Sequence, residues 1–340
     1  MNILFITASV EHGASICRAV WPALWINKFT DHNAWVVDRF HAGSSAHDAM
    51  IDKADVVVCH KPNHSQMRIA EIALDRGKTL IFDTDDHDEN VFAPFYPRFY
   101  MVGAFEGCQW FRENAHGITV ASKPLLEHYN GVVIENGFDT TLPQFQPHPR
   151  SFYEDTEGAW TKIVYGASST HARDLEMFYR LGFFEEFMSE HRIDFHLYGL
   201  DKEPLTRKCG KGQIVSHPMH PRGIEWYIHD YYCDADFLIA PLIQDDFNDN
   251  RSTLKLVEAG IAGKTILASR VKSYEQYEGR DGVSLVDNTP EQWTNALTDL
   301  LNTDWRNKRA QINTDIVRTQ YNAEVLTAKR IKYYEEILNG

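Results

Sequence analysis

The sequence predicts an α/β protein with two domains, each built on a largely parallel sheet. Short apolar runs at 2–7, 55–59, 79–82 and 162–165 are each followed by a polar or small-residue loop. Runs that are apolar throughout are typical of parallel strands buried on both faces. At 340 residues the chain is long enough for two such domains, each with its own core. The segment 142–157 carries three prolines and no period, which indicates a linker.

The composition argues against several classes of function. Hydrophobic residues make up 43% of the chain and charged residues 24%, as in ordinary globular proteins. With 48 acidic and 34 basic residues the net charge is −14, so a broad basic surface for nucleic acid is not expected. The five cysteines are scattered without a CxxC pair, which predicts neither a disulfide framework nor a zinc site.

The N-terminal residues, MNILFITASV, run straight into the first strand without a basic region or cleavage signal. No apolar run approaches the roughly 18 residues that indicate a membrane-spanning helix. We therefore expect no membrane span and a cytoplasmic location.

The first domain begins with the strand 2–7, a loop containing Gly13 and a helix over 16–29. His60 and Lys61 come directly after the strand 55–59. Ligands of open α/β sheets bind beyond the carboxyl ends of the strands, so both side chains are candidates for the site. For His60, simple packing or capping is an equal alternative. The remaining elements are a helix over 67–76, the strand 79–82, an irregular segment over 91–110, a helix at 111–116, a strand at 117–121 and a helix at 124–129.

An acidic run, DTDDHDEN, ends the strand 79–82. Its side chains could bind a divalent metal, because hard cations prefer carboxylates. They could instead line a cleft and contact an acceptor, or form a solvated loop. The residues concerned are Asp83, Asp85, Asp86, His87 and Asp88.

The second domain begins with the strand 162–165 and a small-residue loop that holds Gly166 and His171. A strand end, small residues and a helix start form a favourable place for an anion. Further along the chain we predict a strand at 193–198, a strand running into a loop at 214–220, a helix at 224–232, a strand at 235–239, an exposed loop at 244–250, strands at 265–268 and 283–286, and helices at 290–301 and 304–338.

The stretch 233–270 carries the strongest chemical pattern in the chain. A helix capped by Ser252 or Asn250 follows the strand 235–239. Its amide groups and its dipole favour a phosphate at the helix start, where Arg251 and Lys255 add positive charge. Glu258 lies one turn past Lys255 on the same face. This arrangement predicts a site for a diphosphate and a sugar-like diol; an ordinary βαβ unit with solvated charges is the alternative.

The residues ADFLIAPL…FNDNRSTLKLVEAGIAGKTILAS resemble the donor-binding signature of nucleotide-sugar glycosyltransferases of the GT-B fold. The resemblance is greatest to the retaining clade with glycogen- and sucrose-synthase-like enzymes, that of family 4. It implies that Glu258 binds the ribose. Many members have a glutamate that contacts the donor sugar where this chain has Asn250. The segment 132–139 also resembles the turn V-x-x-N-G-x-D that precedes the interdomain linker of the family. A plain hinge turn with Gly137 at a positive φ is the alternative, and it is compatible with that role.

The resemblance implies two Rossmann-like domains facing each other across a cleft, with a C-terminal helix that crosses back to the first domain. The expected boundaries are an acceptor-side domain over 1–145, a linker over 146–160, a donor domain over 161–310 and a helical segment over 311–340. The donor nucleotide base is expected near 214–220.

The same resemblance implies the roles of the candidate residues. Expected donor-binding residues are Gly13, Gly166, His171, Arg251, Ser252, Thr253, Lys255 and Glu258. Lys61, Asp83 and Asp85 are expected on the acceptor side, with His60 and Asp86 as positioning groups in the catalytic centre. No metal and no cofactor is expected beyond the nucleotide-sugar co-substrate.

The function expected from these observations is transfer of a sugar from a nucleoside-diphosphate sugar to an acceptor hydroxyl, with retention and with a saccharide as acceptor. A hydroxylated base in DNA, as for some bacteriophage enzymes, is an alternative that only the basic clusters 206–211 and 305–309 favour. A non-catalytic sugar-nucleotide or glycan-binding protein of the same fold is another, favoured by Asn250. The absence of GxGxxG and of Tyr-x-x-x-Lys argues against an oxidoreductase or epimerase.

Overall fold

The computed structural model describes residues 1–11, 13–38, 44–62, 64–88, 104–146, 160–168, 171–199, 205–218, 220, 224–280 and 282–340. The chain divides into two units. Unit 1 comprises Met1–Asp139, Asn250–Thr253 and Tyr321–Gly340, and unit 2 comprises Thr140–Asp249 and Leu254–Gln320. The predicted linker, 146–160, falls almost wholly outside the described residues, so the predicted domain boundaries stay a prediction.

Unit 1 is built on a six-stranded parallel sheet with the order β2-β1-β3-β4-β5-β6. The strands are β1 (Asn2–Thr7), β2 (Asn33–Asp38), β3 (Val56–His60), β4 (Thr79–Thr84), β5 (Gly117–Val120) and β6 (Val132–Val133). The chain order reverses between β1 and β3. In open α/β sheets such a switch point is where a crevice for ligands opens beyond the strand ends.

Helices cover both faces of the sheet of unit 1 and bury two apolar clusters. They are Gly13–Ser15, a π-helical turn at Ile16–Val20, Trp21–Phe29, Ser45–Lys53, His64–Asp75, Ala104–Asn114 and Ala323–Asn339. The last of these is the C-terminal helix, whose Ile331 and Tyr334 lie in one of the clusters. Tyr333 accepts a hydrogen bond at its hydroxyl from the Ile118 amide, 3.0 Å away. The predicted return of the C-terminal helix to the first domain is confirmed.

Several predicted elements of unit 1 need correction. The helix predicted at 16–29 contains the π-helical turn, and the segment 124–129 forms only a 3-10 turn, Pro124–Glu127. The helix Ala104–Asn114 begins inside the segment predicted to be irregular, of which 91–103 lies outside the described residues. Gly137 does not have a positive φ. It is needed because a Cβ there would lie 2.1 Å from the carbonyl oxygen of Tyr321.

Unit 2 is built on a seven-stranded sheet with the order β13-β12-β11-β7-β8-β10-β9. The strands are β7 (Thr161–Gly166), β8 (Ile193–Tyr198), β9 (Leu205–Cys209), β10 (Gly212–His217), β11 (Phe237–Ala240), β12 (Ile266–Ser269) and β13 (Val283–Val286). All pairs are parallel except β9 with β10. The switch point lies between β7 and β11, so Gly166 ends one of its strands.

The helices of unit 2 pack an aromatic-rich core against the sheet, centred on Trp293 and Phe178. They are Ala172–Arg180, Phe184–Glu190, Ile224–Tyr227 with a π-helical turn at Ile228–Tyr232, Asp246–Asp249, Leu254–Ile261, Pro290–Leu301 and Thr303–Gln320. Within the described ranges, every helix is too short or too polar to cross a membrane.

Two predictions for this part of the chain are wrong. The segment 244–250 is not an exposed loop, because Asp246–Asp249 is helical and Asn248 and Asn250 are only 4% and 3% exposed. The helix predicted at 304–338 is two helices, Thr303–Gln320 and Ala323–Asn339. The break occurs where Phe138 exchanges backbone hydrogen bonds with Tyr321 and Ala323. The Asn322 side chain then caps the second helix by accepting from the Val325 amide, 3.0 Å away.

Candidate functional site

The main candidate site of unit 2 surrounds the buried carboxylate of Glu258 on the helix Leu254–Ile261. This side chain is 1% exposed, and a buried carboxylate is stable only when it is paired and hydrogen-bonded. The Lys255 ammonium lies 2.9 Å from Oε2, and the Tyr232 hydroxyl lies 3.4 Å from the same oxygen. The Tyr227 hydroxyl donates to Oε1. Four side chains therefore form one polar cluster at the start of this helix. The helix begins at Leu254, later than the predicted caps Asn250 and Ser252 would place it.

Tyr227 and Tyr232 are functional candidates that the sequence analysis missed. They come from the helical segment that precedes β11, where only a run of aromatic residues marked them. Burial raises the pKa of Tyr232, and the Glu258 charge raises it further, so the hydroxyl remains a donor. The Tyr232 hydroxyl leaves no space for a side chain at position 166, since a Cβ at Gly166 would lie 2.2 Å from it. Gly166 thus allows the end of β7 to approach this cluster.

His171 and Asp174 form a second buried group in unit 2. Nδ1 of His171 lies 2.9 Å from Oδ2 of Asp174. The other oxygen of Asp174 accepts from the Ile243 amide at 2.8 Å and from Nδ2 of Asn248 at 3.2 Å. Asp174 therefore orients His171 and ties the loop after β11 to the helix Ala172–Arg180.

Four aromatic rings stack at the carboxyl ends of β8 and β10. Tyr198 lies between Tyr231 and His217, with ring centroids 3.8 Å and 4.3 Å away and interplanar angles of 13° and 14°. Nε2 of His217 lies 2.9 Å from Nδ1 of His196. This is the part of the chain where the sequence predicted a nucleotide base to bind, and the stack offers aromatic faces there.

The segment Asn250–Thr253 clusters with unit 1. The Ser122 hydroxyl donates to the carbonyl oxygen of Asn250, 2.8 Å away, and Thr253 is 2% exposed. Arg251, Ser252 and Thr253 therefore belong to a different unit from Lys255 and Glu258, and their joint binding of a donor stays a prediction.

Gly13, the remaining predicted donor residue, follows β1 in unit 1. A Cβ at Gly13 would meet no described heavy atom within 4 Å. Packing within the described residues therefore does not require glycine at this position.

The candidate site of unit 1 lies at the carboxyl ends of β3 and β4. Nε2 of His60 lies 3.4 Å from Oδ1 of Asp85, and its Nδ1 lies 3.3 Å from the Thr7 hydroxyl at the end of β1. Lys61 follows His60, and its ammonium contacts Asp85, Asp86 and Asp88, three residues of the predicted acidic cluster. The structure therefore brings His60, Lys61 and Asp85 together at the switch point of unit 1.

Burial raises the pKa values of Asp85 and Asp88, and the charge of Lys61 lowers them. Burial alone would raise the pKa of Asp85, but Lys61 and His60 hold it well below its usual range. For Asp88 the balance is reversed, because burial and the charges of Asp86 and Asp85 raise its pKa more than Lys61 lowers it. The same surroundings therefore shift the pKa values of Asp85 and Asp88 in opposite directions.

Asp83 is part of the core. Its oxygens accept from Nε and Nη2 of Arg18 at 2.9 and 2.6 Å, and both side chains are fully buried. Thr119 also donates to Asp83, at 2.5 Å. Burial raises the pKa of Asp83, but the charge and hydrogen bonds of Arg18 outweigh this and lower it. These contacts favour a structural role for Asp83, and its contact with an acceptor stays a prediction.

Arg18 also explains the turn at 134–139. Its Nη1 donates to the carbonyl oxygen of Ile134 and to Oδ1 of Asn136, at 2.5 and 3.1 Å. Asp139 pairs with Lys28, 2.6 Å away. Asn136 and Asp139 of the N-G-x-D pattern thus hold the turn to the rest of unit 1. The periodicity of the sequence did not indicate these contacts.

Comparison with known proteins adds information on the fold. At the level of sequence, no protein-family model and no curated protein matches the chain. Its structure is similar to a glycosyltransferase from Rickettsia africae, with 12% identity and a TM-score of 0.67 over 99% of this chain and 98% of that one. It is also similar to HepE from Anabaena in complex with UDP-glucose, with 11% identity and a TM-score of 0.65 over 99% and 100% of the two chains.

A third solved structure is a trehalose-6-phosphate synthase studied for glycosyltransfer with retention. It is 9% identical to this chain, with a TM-score of 0.62 over 98% of this chain and 99% of the other. All three similarities extend over nearly whole chains; the sheet of unit 1 is parallel and that of unit 2 is parallel except for β9. The chain therefore has the fold of the GT-B glycosyltransferases, with two Rossmann-like domains.

Proposed function

We propose that this chain is a glycosyltransferase that moves a sugar from a nucleoside-diphosphate sugar to an acceptor hydroxyl. The observation that supports this most directly is the cluster of Glu258, Lys255 and the two tyrosines at the start of the helix after β11. A carboxylate suits the two hydroxyls of a ribose, and an ammonium beside a helix start suits the adjacent phosphates.

The chemistry of this reaction requires stabilisation of the departing diphosphate, on which negative charge develops as the glycosidic bond breaks. Lys255 and the amide groups at the helix start are assigned this role, and Arg251, Ser252 and Thr253 complete the donor site in the proposal. Gly166 lets the end of β7, a proposed donor contact, approach the Tyr232 hydroxyl, and His171 is oriented by Asp174 to contact the donor. Because Lys255 and Arg251 supply positive charge to the diphosphate, the proposed reaction needs no metal.

The proposed donor is a UDP-sugar, with UDP-glucose tested first, because HepE of similar fold forms complexes with UDP and UDP-glucose. The stack of Tyr231, Tyr198 and His217 is proposed to bind the uracil. Base stacking on aromatic side chains contributes roughly 1–3 kcal/mol per base.

We further propose retention of the anomeric configuration and a saccharide acceptor. Retention is supported by the similar fold of a trehalose-6-phosphate synthase described as acting with retention. The acceptor side of the proposal consists of Asp85, Asp86 and Lys61 with His60, at the switch point of unit 1. The chain offers His60 as a positioning group for the reacting hydroxyl.

The test is release of nucleoside diphosphate from a panel of nucleotide sugars, with and without mono- and disaccharide acceptors. We expect UDP release that increases with acceptor and is abolished in Glu258→Ala. Lys308→Ala, an exposed lysine of the helix Thr303–Gln320, is the matched control and should be as active as the wild type. NMR of the product glycoside reads the anomeric configuration of the new bond.

Two results would contradict the proposal in different ways. A donor that raises the melting temperature but releases no diphosphate with any acceptor would identify a binding protein, the reading that Asn250 favours. Release that requires DNA with hydroxylated bases would keep the transferase activity and replace the acceptor.

A further inference from the structure

The ammonium of Lys61 lies at the centre of three carboxylates in unit 1. Nζ is 2.8 Å from Oδ1 of Asp85, 2.8 Å from Oδ2 of Asp86 and 3.1 Å from Oδ1 of Asp88. The side chains are 16% exposed for the lysine and 11%, 15% and 9% for the three aspartates. Interactions between such sheltered charges are only weakly screened by salt.

The backbone of Lys61 has an unusual conformation. In the described part of the chain it is the only non-glycine residue with a positive φ, at 76°. Its amide donates to the carbonyl oxygen of Asp83 at 3.1 Å, which continues the pairing of β3 with β4 by one residue. A strained conformation of this kind persists when the surroundings over-determine it, and such residues cluster at functional sites.

The carboxylates are also held from other sides. The Thr84 hydroxyl donates to Oδ2 of Asp88 at 2.5 Å. His60 approaches Asp85 as described above. The three aspartates therefore converge on one point because the end of β4 and the following turn place them there, and the lysine supplies the positive charge at that point.

Three carboxylates around a single cation form an arrangement that divalent metals also favour, since hard cations bind carboxylate oxygens. Here an ammonium with one positive charge faces three negative ones. We propose that Lys61 is a built-in replacement for a divalent cation: its ammonium holds Asp85 and Asp86 in position and thereby excludes a metal from this cluster. Lys61 is thus a positioning residue. Its use in orienting an acceptor rests on the proposed function, whereas its role as counter-ion does not.

The proposal predicts a gain of metal binding when the ammonium is removed. In Lys61→Met the side chain keeps much of its length but has no charge, so three carboxylates remain without their cation. We expect this variant to bind one Mn²⁺ per chain at least about tenfold more tightly than the wild type, because the oxygen ligands no longer share the lysine ammonium. The variant Lys61→Met with Asp85→Asn and Asp86→Asn is the matched control, which should lose the gain.

The experiment is a titration of each variant with MnCl2, in which the EPR signal of free Mn²⁺ measures binding. Melting temperatures are recorded with and without the metal. Lys61→Arg, which restores the charge, should behave as the wild type. Mn²⁺ should raise the melting temperature of Lys61→Met and leave that of the triple variant unchanged. If Lys61→Met does not fold, Lys61→Gln is titrated in its place.

Tight Mn²⁺ binding by the wild type would overturn the proposal. A folded Lys61→Met, or a folded Lys61→Gln used in its place, that binds no more metal than the wild type would do the same. The outcome is independent of the proposed transferase activity, because metal binding is measured without donor or acceptor. If the wild type does transfer a sugar, Lys61→Met should raise the acceptor KM while leaving donor affinity unchanged, and Lys61→Arg should restore the acceptor KM.

Discussion

The Lys255 ammonium lies 2.9 Å from Oε2 of Glu258, one turn further along the helix that follows β11. The lysine side chain is 20% exposed, whereas the glutamate side chain is 1% exposed. Lys255 therefore neutralises a buried carboxylate on one side and remains accessible on the other. In the proposed enzyme its accessible side faces the donor diphosphate.

Replacement of Lys255 by alanine should weaken the binding of UDP. Loss of one charged contact to a phosphate costs about 1.5–3 kcal/mol, which corresponds to roughly ten- to a hundredfold in affinity. Isothermal titration calorimetry measures the change, with Lys308→Ala as the control, and circular dichroism checks the fold. Unchanged affinity for UDP would show that the phosphate site lies elsewhere.

Replacement of Tyr227 by phenylalanine should strengthen the binding of UDP. The Tyr227 hydroxyl donates to Oε1 of Glu258, so a ribose hydroxyl that binds this oxygen has to displace it. Tyr227→Phe should therefore bind UDP more tightly, by about 1 kcal/mol or roughly fivefold, while Glu258→Gln should bind it more weakly. Calorimetry with UDP and with 2′-deoxy-UDP separates the effects, since the ribose contact contributes less to the deoxynucleotide. Weaker binding of UDP by Tyr227→Phe would instead give Tyr227 a direct contact with the ligand.

The sequence predicted elements whose pattern is local. The helix Pro290–Leu301 was predicted with its observed bounds, because Thr289 and Pro290 mark its start and the apolar residues recur at helical spacing. The strands that end at His60 and Gly166 were also placed correctly to within one residue. The prediction of two α/β domains followed from these strands.

The sequence did not predict contacts between residues that are far apart in the chain. Arg18 and Asp83 are 65 positions apart, and no periodic pattern relates them. Local composition also misled where polar residues are buried. Asn248 was predicted in an exposed loop, but it is buried and its Nδ2 donates to Ile243 and Asp174.

The ion pair of Arg18 and Asp83 should be important for the stability of unit 1. Arg18→Met leaves a fully buried carboxylate without its main partner, which typically costs about 3–5 kcal/mol. Lys332→Met is the matched control, because both side chains of its pair with Glu336 are largely exposed, at 79% and 61%, and surface pairs contribute about 0–1 kcal/mol. Urea denaturation of both variants compares the two free energies of unfolding. Equal losses would show that Asp83 is compensated by other groups, such as Arg330, whose Nη1 lies 3.7 Å away.

The stability of the protein should depend on His217 in mildly acidic solution. Partial burial, together with the nearby charges of His196 and Lys162, lowers the pKa of His217 from 6.5 to about 4. The unfolded chain therefore takes up this proton at a higher pH than the folded chain does. Between pH 6.5 and about 4, lowering the pH favours the unfolded state through His217, and stability decreases as the pH falls.

The comparison of wild type with His217→Gln tests this dependence. Melting temperatures across the same pH window should decrease less steeply in the variant. Asp194, whose pKa is lowered by His196 and Gln213 despite its burial, adds its own loss of stability only below its ordinary value of 3.8. Parallel curves for the two proteins between pH 6.5 and 4 would contradict the role of His217.

The last prediction concerns the role of metal and of the acidic cluster in turnover. A carboxylate next to a diphosphate repels it unless a metal bridges them. Lys61 already supplies a cation to Asp85 and Asp86, and in the proposal Lys255 and the helix start carry the charge of the diphosphate, so neither group needs a metal. We therefore expect sugar transfer to survive exhaustive treatment with EDTA. The double variant Asp85→Asn with Asp86→Asn should raise the acceptor KM or lower kcat, with UDP affinity within about twofold of the wild type because no donor contact is lost. Steady-state kinetics with each substrate varied in turn, and calorimetry with UDP, make this distinction. Activity lost with EDTA and restored by Mn²⁺ or Mg²⁺ would instead show that transfer depends on a divalent metal.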